Sequence, residues 1–130
     1  MRQVIIYSLL TLLTLANCSQ PHNDFVIDKY RIIDIANNEN FQTKLAVNKK
    51  KHPKISFPRN FYRASLHVYD KNDWSTYGFE SSGVVKPTIV GNTYVVEIDN
   101  LPSKNYIFYY GFECCPPGGH MGIEFEIELK

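Results

Sequence analysis

The chain has 130 residues and a formal net charge of +1, with 14 Lys and Arg against 13 Asp and Glu. This length suits one domain, and the near-neutral balance does not favour nucleic acid as a partner. Eight Phe, nine Tyr and one Trp supply a large apolar surface of a kind that suits pleated sheets, so we expect an all-β core.

The first segment, 1–17, has the pattern of an export signal. Arg2 gives a positive start, and the apolar run Val4–Leu15 is shorter than the roughly 20 residues that a membrane-spanning helix needs. We therefore predict that the segment is removed. Its end, Leu15–Cys18, resembles the cleavage site of bacterial lipoproteins, where the signal is cut before a cysteine that carries the lipid. The alternative is an ordinary secretory signal in which Cys18 has no role.

The lipoprotein resemblance implies an anchored domain organisation. Residue Cys18 carries the lipid, 18–24 form a polar tether without apolar periodicity, and 25–130 form the folded domain. Ser19, rather than Asp, follows the cysteine, which resembles lipoproteins sent to the outer membrane of Gram-negative bacteria. The resemblance thus implies a cell-envelope domain that faces the periplasm.

The first half of the domain contains three predicted strands and a basic loop. Phe25–Ala36 is rich in Ile and aromatic residues, which predicts a strand with a bulge, and Phe41–Val47 predicts a weaker strand. Asn48–Lys54 contains four lysines and a proline, which favour a loop. Ile55–Phe57 is predicted to be a short edge strand.

The basic loop has two interpretations. A charged run of this kind is usually the solvated tip of a hairpin. In a lipid-anchored domain, it is also a candidate contact with anionic head groups or with an acidic partner, because each lysine contributes about 1 kcal/mol near an anionic surface. The lysines concerned are Lys49, Lys50, Lys51 and Lys54.

The middle of the chain continues as strands. Apolar and polar residues alternate over Tyr62–Tyr69, so Leu66 and Val68 are expected to point inward and His67 outward. Trp74–Glu80 fits neither strand nor helix periodicity and is predicted to be a loop or short helix over one end of the core. Val84–Val90, interrupted by a proline, is a predicted edge strand.

The last strands complete a sandwich. Thr93–Asp99 and the aromatic run Tyr106–Phe112 are predicted strands, the second at the centre of a sheet. Over Ile123–Leu129, apolar residues alternate with glutamates, which predicts one core face and one solvated acidic row. Seven or eight strands at this spacing indicate an antiparallel two-sheet β-sandwich, transthyretin-like or immunoglobulin-like. The turn Leu101–Tyr106 resembles that of transthyretin-like sandwiches.

The segment from Tyr106 to Met121 is the strongest candidate for chemistry. An aromatic strand leads to Cys115, and a Pro/Gly loop leads to His120 and Met121. This order resembles the end of cupredoxins, and thiolate, imidazole and thioether ligands suit copper. The resemblance implies Cys115 and His120 as copper ligands, Met121 as the axial ligand and His67 as the second histidine.

The bonding state of the two adjacent cysteines has several alternatives. Cys114 and Cys115 are candidates for a strained disulfide or redox pair, for bridges between molecules, or for free thiols. Cys115 and His120 as nucleophile and base lack a third orienting group, so we do not expect an enzyme. No small-molecule substrate is evident.

The whole pattern favours a non-catalytic module that binds or positions an envelope protein. The strands Arg31–Ala36, Ala64–Tyr69 with Trp74 after it, and Tyr106–Phe112 resemble the small sandwich lipoprotein of type VI secretion membrane complexes. Membership of that family implies a periplasmic partner, the large inner-membrane subunit of the complex, docked on loops of the sandwich.

Overall fold

Two four-stranded β-sheets pack face to face in the computed structural model, which describes residues 24–37, 43–77, 83–114 and 119–130. This arrangement confirms the predicted all-β, two-sheet sandwich. Sheet A contains, in spatial order, β1 (Phe25–Val26), β3 (Lys54–Pro58), β6 (Thr93–Glu97) and β5 (Thr88–Val90). Sheet B contains β2 (Lys44–Val47), β8 (Gly119–Leu129), β7 (Asn105–Cys114) and β4 (Ser65–Asp70). The helices are α1 (Lys29–Asn37) and α2 (Lys71–Tyr77).

The strand pairing differs from the prediction at one side of the sandwich. The ladders β1–β3 and β2–β8 are parallel, whereas the other ladders are antiparallel. Because β1 adds to β3, the predicted edge strand Ile55–Phe57 lies inside sheet A, and Lys54 belongs to β3 rather than to the loop. Val84–Val90 is confirmed in part, since β5 is an edge strand that begins after the proline.

The strand predicted over Phe25–Ala36 is wrong, because most of this segment is helix α1. The carboxylate of Asp28 caps the helix by accepting a hydrogen bond from the Arg31 N–H at 2.8 Å. Ile32 is fully buried, and the residues three and four positions after it also pack against the core. This spacing is helical, and it overrides the β propensity of the isoleucines. Helix α1 links the edge strands β1 and β2 across one side of the sandwich.

Stacked aromatic rings fill the space between the sheets. Phe57 of sheet A lies 5.9 Å from Phe108, 5.7 Å from Tyr110 and 5.6 Å from Phe125 of sheet B, measured between ring centroids. All four side chains are buried. The prediction that Tyr106–Phe112 occupies the centre of a sheet is confirmed, since β7 lies between β4 and β8.

Helix α2 covers the outer face of sheet B rather than one end of the core. Trp74 packs against Tyr69 and Tyr109, with ring centroids 4.8 and 5.6 Å apart. Tyr69 therefore points away from the core and is still only 4% exposed. The predicted inward orientation of Leu66 and Val68 is confirmed.

Candidate functional site

The residues proposed for chemistry are spread over the chain. Cys18 and Cys115 lie outside the described residues, as does the segment that joins β7 to β8. Cys114 is the last residue of β7, where its backbone is paired with Gly119 of β8. Cys114 thus lies at the end of β7, and the bonding of the predicted Cys114–Cys115 pair remains a prediction.

The candidate copper ligands that the structure describes do not converge. His120 is exposed on the outer face of sheet B, whereas the next residue, Met121, packs against the core on the opposite face. His67 is exposed on β4, two strands away and four residues further along the ladder. Typical strand spacings place the two histidines about 16 Å apart. Within the described ranges, no group of three His, Cys, Asp or Glu side chains is arranged to hold a metal ion.

The glutamate row of β8 is partly covered, which corrects the prediction of a solvated acidic row. Glu126 accepts a hydrogen bond from Lys71 of α2, and its other oxygen lies 3.6 Å from the Lys44 ammonium. Only 17% of the Glu126 side chain is exposed. The hydrogen bond from Lys71 lowers the pKa of Glu126 below its usual value. Helix α2 is therefore held on sheet B by charge as well as by Trp74.

A second ion pair, between Asp70 and Lys104, lies at the end of β4. Asp70 accepts hydrogen bonds from the Lys104 ammonium and, at 3.0 Å, from the Asn72 N–H. The Lys104 hydrogen bond lowers the pKa of Asp70, and the same hydrogen bond raises the pKa of Lys104. Both members of the pair favour their charged forms in the folded protein.

These two carboxylates predict an acid-sensitive fold. A lowered folded-state pKa contributes stability above the unfolded-state value, 3.8 for Asp70 and 4.5 for Glu126, and the contribution is lost as the pH falls through the folded-state pKa. We expect the thermal unfolding midpoint, measured by circular dichroism, to be lower below pH 3.8 than above pH 4.5. The double variant Lys71→Gln/Lys104→Gln should flatten this dependence, and the exposed-lysine control Lys86→Gln should not. An unchanged slope in the double variant would contradict the assignment.

The outer face of sheet A carries an open groove of about 480 Å³. Val26 and Val90, on the two edge strands, are 59% and 60% exposed on this face. Val95, on the inner strand β6, is half-buried and lies between them. Strand alternation places all of them away from the core. We call this surface the sheet A groove; its floor comprises Val26, Ser56, Pro58, Val90, Thr93 and Val95.

The sequence contained only part of the signal for this surface. The alternation in Thr93–Asp99 predicts that Val95 points away from Val96, and the structure confirms that Val96 is fully buried. The sequence pattern instead places Val26 in a long first strand and does not predict its position at the edge of sheet A. A run of two strand residues is too short for period analysis to detect.

The basic loop keeps its predicted position between β2 and β3. Asn48 organises it, since its Oδ1 accepts hydrogen bonds from the N–H groups of Lys50 at 2.9 Å and Lys51 at 3.3 Å. The loop links the two sheets at one end of the sandwich. The C-terminal strand ends beside it, because the Lys49 N–H donates to the Lys130 carbonyl at 3.0 Å.

Comparison with known proteins gives no match: no protein-family model, no curated protein and no solved structure is significantly similar to this chain. Neither helix in the described ranges is long and apolar enough to cross a membrane.

Proposed function

We propose that the protein is a lipid-anchored lipoprotein of the bacterial cell envelope that acts as a non-catalytic binding or assembly module. The export signal and Cys18 support the anchor. The observation that carries the binding role is the sheet A groove. Helix α2 covers the aromatic part of the outer face of sheet B, whereas the described chain leaves apolar side chains uncovered on sheet A.

The chemistry of the groove favours a protein surface as its occupant. Its floor consists of valines, small hydroxyl residues and a proline, without a charged side chain. Charged and polar residues line the rest of the groove: Asp24, Asp28, Lys29, Asn60 and Asn92. An apolar centre with a polar rim is the usual anatomy of a protein–protein interface.

The resemblance to the sandwich lipoprotein of type VI secretion complexes defines the first partner to test, which is the large inner-membrane subunit of such a complex. The proposal places the domain in the periplasm, held by its lipid in the outer membrane. The partner would then meet the sandwich from the inner-membrane side.

Val90→Lys tests the groove. A lysine at this 60% exposed position should leave the fold intact, yet it places an ammonium in the apolar centre of the interface. We expect the amount of the partner that co-purifies from solubilised membranes to fall by about tenfold, the effect of a loss of about 1.4 kcal/mol. The matched control is Ile89→Lys, which is 56% exposed but points to the other face of β5. Equal losses in both variants, or none in Val90→Lys, would refute the groove as the binding site.

A further inference from the structure

The first described residues of the chain enter the sandwich at the end that carries the basic loop. Phe25, the first residue of β1, lies opposite Ile55 in the parallel ladder, and its ring meets that of His52 edge-on at 5.7 Å. Asp24 therefore precedes β1 at the same end at which Lys54 begins β3. The β7–β8 hairpin, with Cys114, lies at the opposite end.

Two of the four lysines at this end, Lys49 and Lys54, lie beside polar groups of the domain. The Lys49 ammonium donates a hydrogen bond of 2.7 Å to the carbonyl of Leu101 and is half-buried. Lys54 lies directly opposite Glu97 in the β3–β6 ladder, so a carboxylate stands near its charge, but its side chain is exposed. Lys49 is therefore held by the domain, whereas Lys54 remains accessible at its surface.

The other two form an exposed basic tip, which we define as Lys50 and Lys51. Both side chains are exposed, and neither forms an ion pair with any described carboxylate. Asp99 borders the depression beside Lys50, while Lys130, also exposed, ends the neighbouring strand. The Asn48 hydrogen bonds hold the backbone of the tip in place, so both ammonium groups remain at the end of the sandwich.

The length of the tether limits where this end lies. Cys18 precedes Asp24 by six residues, which span at most about 20 Å when fully extended. Strand β7, with ten residues, is by contrast about 34 Å long. A lipid on Cys18 therefore keeps the basic tip close to the membrane and leaves the β7–β8 hairpin on the far side.

We infer that the basic tip docks on anionic phospholipid head groups of the same membrane that holds the anchor, an inference that rests on the proposed lipidation of Cys18. A lipid anchor combined with a basic patch binds a membrane more stably than a single acyl chain does. The tether is short enough to let the tip approach the head groups to within about 8–10 Å, the range over which charges attract at physiological ionic strength. Docking orients the sandwich and leaves the sheet A groove open on its side.

Lysine footprinting of the full lipidated chain tests this docking. The protein is reconstituted into vesicles of phosphatidylcholine alone or with phosphatidylglycerol, then acylated at lysines and analysed by mass spectrometry. We expect Lys50, Lys51 and Lys54 to be labelled several-fold more slowly on the anionic vesicles, and high salt to abolish the difference. Lys29 and Lys44, away from this end of the sandwich, serve as internal references and should not change.

A pair of charge variants distinguishes docking by the basic tip from non-specific attraction of the whole domain to an anionic membrane. Each lysine contributes a factor of about five to binding at an anionic surface, so Lys50→Gln/Lys51→Gln should weaken docking about 25-fold and remove the protection of Lys54. The control variant Lys29→Gln/Lys44→Gln removes the same amount of charge elsewhere, and Lys54 should remain protected in it.

Three outcomes would overturn the inference. Equal labelling on both vesicles, with the lipid found on Cys18 by mass spectrometry, refutes docking and leaves the anchor standing. Protection in native membranes but not in protein-free vesicles assigns the tip to an acidic protein instead. A chain without lipid on Cys18 refutes the anchor and the docking together.

Discussion

Replacement of Cys18 by alanine is expected to release the protein from the membrane. The acyl chains that the lipoprotein pattern places on this cysteine contribute about 0.8 kcal/mol for each buried methylene group. The described domain contains no membrane-spanning helix that would substitute for them. The measurement is the distribution of the protein between membrane and soluble fractions, together with incorporation of a labelled fatty acid.

The precursor needs a specific control, because an uncleaved signal would itself hold the chain in a membrane. Cys18→Ala is therefore also expressed behind an ordinary secretory signal that is cut before Ser19, and this form should be soluble. The matched cysteine control is Cys114→Ala, which lies at the tip of the β7–β8 hairpin and should remain lipidated and membrane-bound. If Cys18→Ala expressed behind the secretory signal still fractionates with membranes, the anchor lies elsewhere.

Replacement of Phe57 by alanine is expected to cost about 3–5 kcal/mol of unfolding free energy. Phe57 is 1% exposed and contacts the rings of Phe108, Tyr110 and Phe125, so its removal leaves a cavity between the two sheets. The unfolding free energy of a folded domain is about 5–15 kcal/mol in total, so this loss is a large share of it. Urea unfolding followed by the fluorescence of Trp74, the single tryptophan of the chain, measures it.

Two further variants calibrate this loss. Phe57→Leu retains most of the apolar volume and should cost less than Phe57→Ala. Tyr62→Ala removes an aromatic ring that is 66% exposed and should change the unfolding free energy by no more than about 0.5 kcal/mol. A cost below about 1 kcal/mol for Phe57→Ala would contradict its central place in the core.

The candidate site was less accessible to prediction than the fold. The order of Cys115, His120 and Met121 along the chain suggests copper ligation, yet neighbouring residues of a strand point to opposite faces, so His120 and Met121 diverge. The sheet A groove depends on Val26 and Val90, which come from distant parts of the chain and line one surface only because β1 and β5 lie in one sheet.

The sequence by itself determined the signal pattern, the all-β class and the orientation of side chains in β4, β6 and β8, because alternation with period two is local to each strand. Only the tertiary structure decided that Ile32 lies in a helix, that Trp74 covers sheet B, and that the basic tip lies where the chain joins the sandwich. Each of these depends on contacts between segments far apart in the chain. Burial against a specific neighbour, rather than the propensity of the segment, set the outcome.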